Sequence, residues 1–458
     1  MNVTIPMLPP RRSIVRALAA AALIAPIAVG AQQPSGQRLS LGDAVRLAAR
    51  QSALVAGAEM RTAQAQARVT QSRAALLPNI SASAVESGHT INSATFGFNF
   101  PSTPGQPPLL DPLGQVIGPV STLDLRGKVS QTLFDAGALQ HYRAAQATVA
   151  AVSAGQSIAA EQAAGQAAVA YMLALRADAQ LNARLADSSL AADLLGIAQA
   201  QLQAGTGVAL DVTRAESQLA GVKAQLIAAR NDQARSRLTL ARALNLPLDT
   251  PIELTDSLSA VGDVPDEGNF ARAVQTAVSE RPDVRALDEQ MHAAQVQTRA
   301  IRAERLPTVN AFGDDGAIGL RLNKMLVTYT WGLELSLPIF DGSRRSGRIS
   351  EQEAAMRELQ VREIDLRQQV AADVRGAVLD LSSARQSVGA ARERVRLAEQ
   401  EVSQARDRFS AGVAGNADVI TASLTLNASR TQLIDAETAF QNARVALARA
   451  EGRATSLQ

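Results

Sequence analysis

Leu133-Phe134-Asp135-Ala136-Gly137 returns 206 positions later as Ile339-Phe340-Asp341-Gly342. Each stretch closes an alternating apolar and polar run and opens a long segment free of proline, so the pair marks two passages from strand to helix. Upstream, Leu77-Pro78 and Leu306-Pro307 are separated by 229 positions, as are Ala44-Val45 and Ala273-Val274. The drop from 229 to 206 places an insertion of 23 residues between the strands of the first copy. Downstream, Leu202-Gln203-Ala204-Gly205-Thr206 and Phe409-Ser410-Ala411-Gly412-Val413 break the helices, and Asp211-Val212 and Asp418-Val419 restart them. The chain is an internal duplication, and each copy is one structural unit.

Arg11, Arg12 and Arg16 precede an apolar run over 17–29, and Val29-Gly30-Ala31 offers small residues for cleavage before Gln32. This reads as a secretory signal peptide over 1–31. The Arg11-Arg12 pair has poor surroundings for twin-arginine export, so general secretion is expected. Without cysteine there is no disulfide framework, metal thiolate or acylation site, and a lipid anchor at the mature N-terminus is not expected. Loss of the three arginines leaves 42 basic against 43 acidic residues, a formal charge of −1 in place of +2. That balance gives no nucleic-acid footprint. No window after Val29 is apolar enough for a membrane helix, so any membrane span must be made of strands.

Val327, Tyr329, Trp331, Leu333, Leu335 and Leu337 alternate with Thr328, Thr330, Gly332, Glu334 and Ser336. Leu123, Leu125, Val129 and Leu133 keep the same period against Asp124, Arg126, Lys128 and Ser130. Strands of about 10 residues with one apolar and one charged face fit a membrane barrel with a wet interior. Weaker strands are read at 79–89 and 308–313, and the Pro/Gly-rich stretches 101–119 and 313–324 as outer loops. Eight of thirteen aromatic residues, Phe96, Phe98, Phe100, Phe134, Phe312, Tyr329, Trp331 and Phe340, fall in or beside these strands. They fit an interfacial girdle, or simply the strand preference of aromatics.

The segments 138–203 and 343–410 are proline-free, and as helices each would run roughly 100 Å. Val388, Val395, Val402 and Phe409 recur every seven residues with Ala391, Ala398 and Ala405 between them. Leu426, Leu433, Phe440 and Leu447 do so with Ser429, Ala436, Ala443 and Ala450, and Leu195, Ala198, Leu202, Leu219, Val222, Leu226, Ala229 and Leu240 partly repeat the pattern. These are seams of antiparallel coiled coils. Open sheet edges are not tolerated in lipid. Four strands cannot close, eight make a barrel filled by side chains, and 12 from three chains enclose a pore. The fold class expected is mainly α with a membrane β-barrel: long antiparallel coiled-coil helices forming an α-barrel, and four strands per chain contributing to a 12-stranded trimeric barrel. Phe134-Asp135 and Phe340-Asp341 are expected to pass directly from strand to helix, with Asp135 and Asp341 as N-caps.

The opening Leu39-Ser40-Leu41-Gly42-Asp43-Ala44-Val45, the Leu-Pro pairs, Pro338-Ile339-Phe340-Asp341-Gly342 and the Ala-Gly turns followed by Asp-Val, duplicated in order, resemble the TolC-like outer-membrane efflux channels of Gram-negative bacteria. The resemblance covers essentially the whole mature chain. It implies a homotrimeric conduit with its barrel in outer-membrane lipid and a periplasmic tunnel whose tips dock onto an adaptor protein of an inner-membrane transporter, in an efflux pump or a type I secretion system. By that resemblance Ala204, Gly205, Thr206, Gly207 and Val208, with Ala411, Gly412, Val413, Ala414 and Gly415, are the adaptor-docking tips, although their glycines also suit helix ends. Asp418 corresponds to an aspartate lining the closed tunnel entrance, where three copies would form a negative ring. In the first turn of a helix a carboxylate is favourable on dipole grounds as well. One turn on, where some relatives are acidic, this chain has Thr421.

The repeats are placed at 32–245, with strands at about 79–134 and a hairpin at about 138–245, and at 268–452, with strands at about 307–340 and a hairpin at about 343–452. A linker over 246–267 is expected to wrap the tunnel as an equatorial layer, and 453–458 is a C-terminal tail. His89, His141 and His292 look scattered, and neither a phosphate loop nor a nucleophile elbow is present, so catalytic residues, cofactors and metals are not expected. The competing reading is a periplasmic coiled-coil adaptor without a barrel.

Overall fold

In the computed structural model residues 37–96, 114–259 and 270–457 are described. The signal peptide, Phe98, Phe100, the Phe96 side chain, the loop at 101–113 and the linker at 260–267 lie outside them. The first copy comprises β1 (Gln37–Leu39), α1 (Leu41–Gln51), α2 (Ala53–Ala74), β2 (Asn79–Asn92), β3 (Val116–Asp135), α3 (Ala136–Gln203) and α4 (Ala209–Ala243). After β4 (Ile252–Leu254) the second comprises α5 (Phe270–Glu280), α6 (Pro282–Ala303), β5 (Thr308–Gly319), β6 (Met325–Ser336), α7 (Arg344–Ser410) and α8 (Asn416–Ala450).

Local chemistry sets most of these boundaries. The Ser40 hydroxyl accepts from the Asp43 amide at 3.1 Å while the Asp43 carboxylate accepts from the Ser40 amide at 3.3 Å, a capping box that starts α1. Ser52 turns extended and caps α2, and Pro282 takes the first position of α6, so each helical stretch before the strands is two helices. The helices end at Ala74 and Ala303, and Pro78 and Pro307, which could not continue them, stand one residue before β2 and β5.

The strands form one antiparallel sheet in the order β2-β3-β5-β6. Its register aligns Ile80, Val129, Gly313 and Trp331 in one row and Ser81, Lys128, Asp314 and Thr330 in the next. One face therefore gathers most of the apolar side chains and the other Asp124, Arg126, Lys128 and Asp314, while Glu86, opposite Leu123, and Asp315, opposite Gly127 and Tyr329, lie in rows of the apolar face. Two loop boundaries need correction: β3 begins at Val116, and β5 continues through the Gly/Asp-rich stretch expected as loop to Gly319. The reason is cross-strand fit. A Cβ on Gly316 would stand 2.7 Å from the Arg126 Cα, so a residue that reads as a breaker is one that the neighbouring strand can cross. Phe312 also leaves the expected girdle, because it pairs with Ser130 and Gly332 in the polar register and lays its ring over Gly332. Phe134, Tyr329 and Trp331 remain on the apolar face.

Helices α3 and α7, of 68 and 67 residues, are each about twice the length of the 35-residue α4 and α8 that return along them. Near the sheet the long helices pack instead on α2, α5 and α6. Val370, Val374, Ala377, Leu381, Val388, Ala391, Ala398, Val402 and Phe409 form the buried α7 seam. On α3 the expected seam holds at Ala198, but Leu194 is buried more fully than the half-buried Leu195 and Leu202 is exposed, because this face meets Phe409 and Val419 of the other hairpin as well as Ala215 of α4.

At mid-height β1 and β4 pair in parallel, and Tyr171, fully buried, donates to the Leu39 carbonyl and the Asp256 carboxylate, each at 2.9 Å. Burial first, and then the facing Asp256, push its phenol well above the ordinary range. The linker is held on the second hairpin where Gln441 donates to the Leu258 carbonyl at 3.2 Å and Arg392 to that of Ser259 at 3.0 Å. The C-terminal segment is docked by Glu161, which accepts from the Ala454 amide at 2.7 Å and the Thr455 hydroxyl at 2.6 Å.

Candidate functional site

Two places in this frame present the residues singled out by sequence: the far ends of the hairpins and the passages between sheet and helices. At the ends, α3 and α7 stop alike. Gly205 and Gly412 take φ of +73° and +74°, and the Thr206 and Val413 amides return to the carbonyls of Gln201 and Arg408, each at 3.0 Å. Gly207 is needed for a different reason, since a Cβ there would meet Gln201 Cβ and the Leu202 amide nitrogen at 2.9 Å. Val208 and Gly415 are the N-caps of α4 and α8 without side-chain bonds. Apart from the half-buried Gly207 and Ala414, the ends are exposed around Val208, Leu210 and Val413.

The two ends are tied together. Gln201 donates to the Phe409 carbonyl and Asn416 to that of Asp211, each at 2.8 Å. Asn416 is fully buried, and its Oδ1 has no partner. Asp418 and Thr421 stand one turn apart on the exposed surface of α8. The Asp418 side chain caps nothing, and the Thr421 hydroxyl donates to the Ala417 carbonyl at 2.9 Å.

Higher on the hairpins is a site that the sequence reading missed. Asp187 of α3, 2% exposed, accepts from Arg184 at 3.1 Å and from Arg430 of α8 at 3.0 Å. Arg184 also donates to Thr431, and Arg430 stands 3.5 Å from Glu399 of α7, so Arg430 between two carboxylates joins three helices. Burial raises the Asp187 pKa, and Arg430 and then Arg184 oppose the rise. The one sequence signal was register. Asp187 lies seven residues before Leu194, on a line where apolar residues belong.

At the first passage Asp135 is the last residue of β3 and caps α3, accepting from the Ala138 amide at 2.8 Å. The second departs from the expectation. Strand β6 ends at Ser336, and α7 begins only at Arg344 with Ser343 as N-cap at φ 66°, so Phe340-Asp341 lies between strand and helix. Pro338 has no amide to continue the ladder, and Gly342 and Ser343 turn left-handed. Asp341 serves the helix from outside, accepting from the Arg345 amide at 3.1 Å and its Nε at 2.6 Å. Those bonds hold its pKa below the usual carboxylate value. Nor is His141 isolated, for its Nε2 is 2.8 Å from Glu304, which also accepts from Arg348 at 2.7 Å. Among the described residues no helix is long and apolar enough to cross a membrane.

The model of the outer membrane efflux protein family matches residues 44–246 and 273–453, once over each copy. The outer membrane efflux protein BepC of Brucella suis is 27% identical over 282 residues, covering 60% of each chain. CyaE of Bordetella pertussis is 27% identical over 300 residues, covering 63% of this chain and 62% of its own. The chain therefore spans about three fifths of these curated relatives. Among solved structures, the Campylobacter jejuni CmeC outer membrane channel superposes with a TM-score of 0.71 at 17% identity, over 90% of this chain and 86% of that one. The Vibrio cholerae outer membrane protein VceC gives 0.69 at 19% identity, over 90% and 96%. At these identities the structural likeness speaks for the fold.

Proposed function

The chain belongs to the outer membrane efflux protein family, and from that premise we propose that three copies form an outer-membrane channel, the passive exit duct of a tripartite efflux pump or type I secretion system. The observation that carries this is the sheet: four antiparallel strands, mostly apolar on one face, where Glu86 and Asp315 are the charged exceptions, and charged on the other, with β2 and β6 left as edges. Lipid does not tolerate unpaired edges. Joining β6 of one copy to β2 of the next closes 12 strands from three four-stranded sheets around a wet lumen, with the apolar face outward. The helical hairpins then gather into a tube below the barrel and extend it through the periplasm.

The exposed turns 204–208 and 411–415 meet a periplasmic adaptor, which links the duct to an inner-membrane transporter that supplies energy and selects cargo. Three copies of Asp418, exposed one turn from Thr421, ring the tunnel entrance and favour cations. Chemistry on the cargo has no place in this role. The test is single-channel recording in planar bilayers together with the detergent-corrected mass. A trimer with a small, cation-favouring conductance supports the duct; a soluble monomer without conductance overturns it and favours the barrel-less adaptor.

A further inference from the structure

We propose that the helical end of the sheet is a binding surface for the phosphates of phospholipids in the adjacent membrane leaflet, a reading that rests on the sheet being part of a membrane barrel. Each of the four passages between sheet and helices carries an exposed arginine: Arg73 before β2, Arg143 after β3, Arg305 before β5 and Arg344 after β6. All four fall within eight residues of a strand end, about two helical turns. Among the described residues none has a carboxylate within ion-pair distance, while the acidic groups beside them are engaged elsewhere. Asp135 caps α3, Glu304 holds His141 and Arg348, and Asp341 bonds to Arg345, acting on Arg344 only through space. The passages are left with a surplus of guanidinium.

The apolar face continues into this fringe. Leu335 is 72% exposed, and beyond the last residue of β6 the chain presents Ile339 at 91% and Phe340 at 84%. An apolar belt ending in aromatic and aliphatic side chains, with arginines just past it, matches the order of acyl chain, glycerol and phosphate in a leaflet. Repeated by three copies, the four passages would ring the barrel with twelve guanidiniums.

The test is native mass spectrometry of the detergent-purified trimer with phosphatidylglycerol or phosphatidylcholine added. It compares the unaltered chain with Arg73→Gln/Arg143→Gln/Arg305→Gln/Arg344→Gln and with Arg305→Gln alone, in case the fourfold variant does not assemble. The unaltered trimer should retain the anionic lipid in preference, by roughly fivefold for each guanidinium that reaches a phosphate, and the fourfold variant should hold the two lipids equally. Ile339→Ser/Phe340→Ser should lower retention of both lipids alike. An undiminished preference in the arginine variants overturns the proposal. So does altered conductance with unaltered lipid retention, which would put these arginines on the lumen wall. A soluble monomer, recognised by its mass before lipid is added, would instead refute the barrel reading on which the proposal stands.

Discussion

Replacing Leu333 with Arg separates a sheet that faces lipid from one that faces water. Leu333 is 70% exposed and pairs with Ala311 on the apolar face, whereas Thr330 pairs with Asp314 on the polar one. From Val327 to Leu335 the outward residues of β6 cover eight steps, about 27 Å along the strand and about 20 Å of membrane depth at a barrel's tilt. Leu333 sits about 5 Å from the centre of that band, between midplane and interface, so an arginine there should cost about 1–3 kcal/mol per chain. Thr330→Arg should lie within about 0.5 kcal/mol of the unaltered chain, because its guanidinium stays in water. The assay is urea unfolding of the reconstituted protein in phospholipid vesicles, followed by Trp331 fluorescence. In water Leu333→Arg would be as harmless as Thr330→Arg, because a side chain already exposed loses little by becoming polar. Equal midpoints for the two variants would refute the placement of this face in lipid.

Asp187→Ala should destabilise the hairpins by about 1–3 kcal/mol, since the half-buried Arg184 and Arg430 guanidiniums lose a charged hydrogen-bond acceptor and Arg430 keeps only Glu399 at 3.5 Å; a thermal melt of the trimer measures it. Tyr171→Phe removes the donor to the Leu39 carbonyl and Asp256 and should cost about 1–3 kcal/mol, read as faster hydrogen exchange in 37–41 and 252–256. Asp418→Ala should raise conductance or loosen cation preference in bilayers, and unchanged recordings would reduce Asp418 to a favourable helix-end charge. Bonds from the Ser40 side chain, then Arg46 and the Ser40 amide, hold Asp43 below its ordinary pKa. A depressed carboxylate stabilises the fold above its unfolded pKa, and that contribution is lost as pH falls through the folded value. The gap in melting temperature between the unaltered chain and Asp43→Asn should therefore be present at neutral pH and close on acidification below the ordinary carboxylate range; a gap that persists in acid would refute the linkage.

Periodic and local signals were legible in the sequence. The duplication, the two helices of nearly 70 residues, the face alternation of β6 and the glycine turns at 205 and 412 all depend on neighbours a few positions apart. Local too was the Asp135 cap. What the tertiary structure decided has no period to betray it. The course of β5 through its glycines depends on the side chains of β3 and β6 that lie across them. Asp187 finds Arg430 across 243 positions, and Glu161 finds Thr455 across 294, because two hairpins that each fold locally are brought side by side. The sequence determines which faces need a partner, since apolar spacing is written residue by residue. Which residues meet there was decided by the register between elements distant in the chain, a property of their packing and of no single segment.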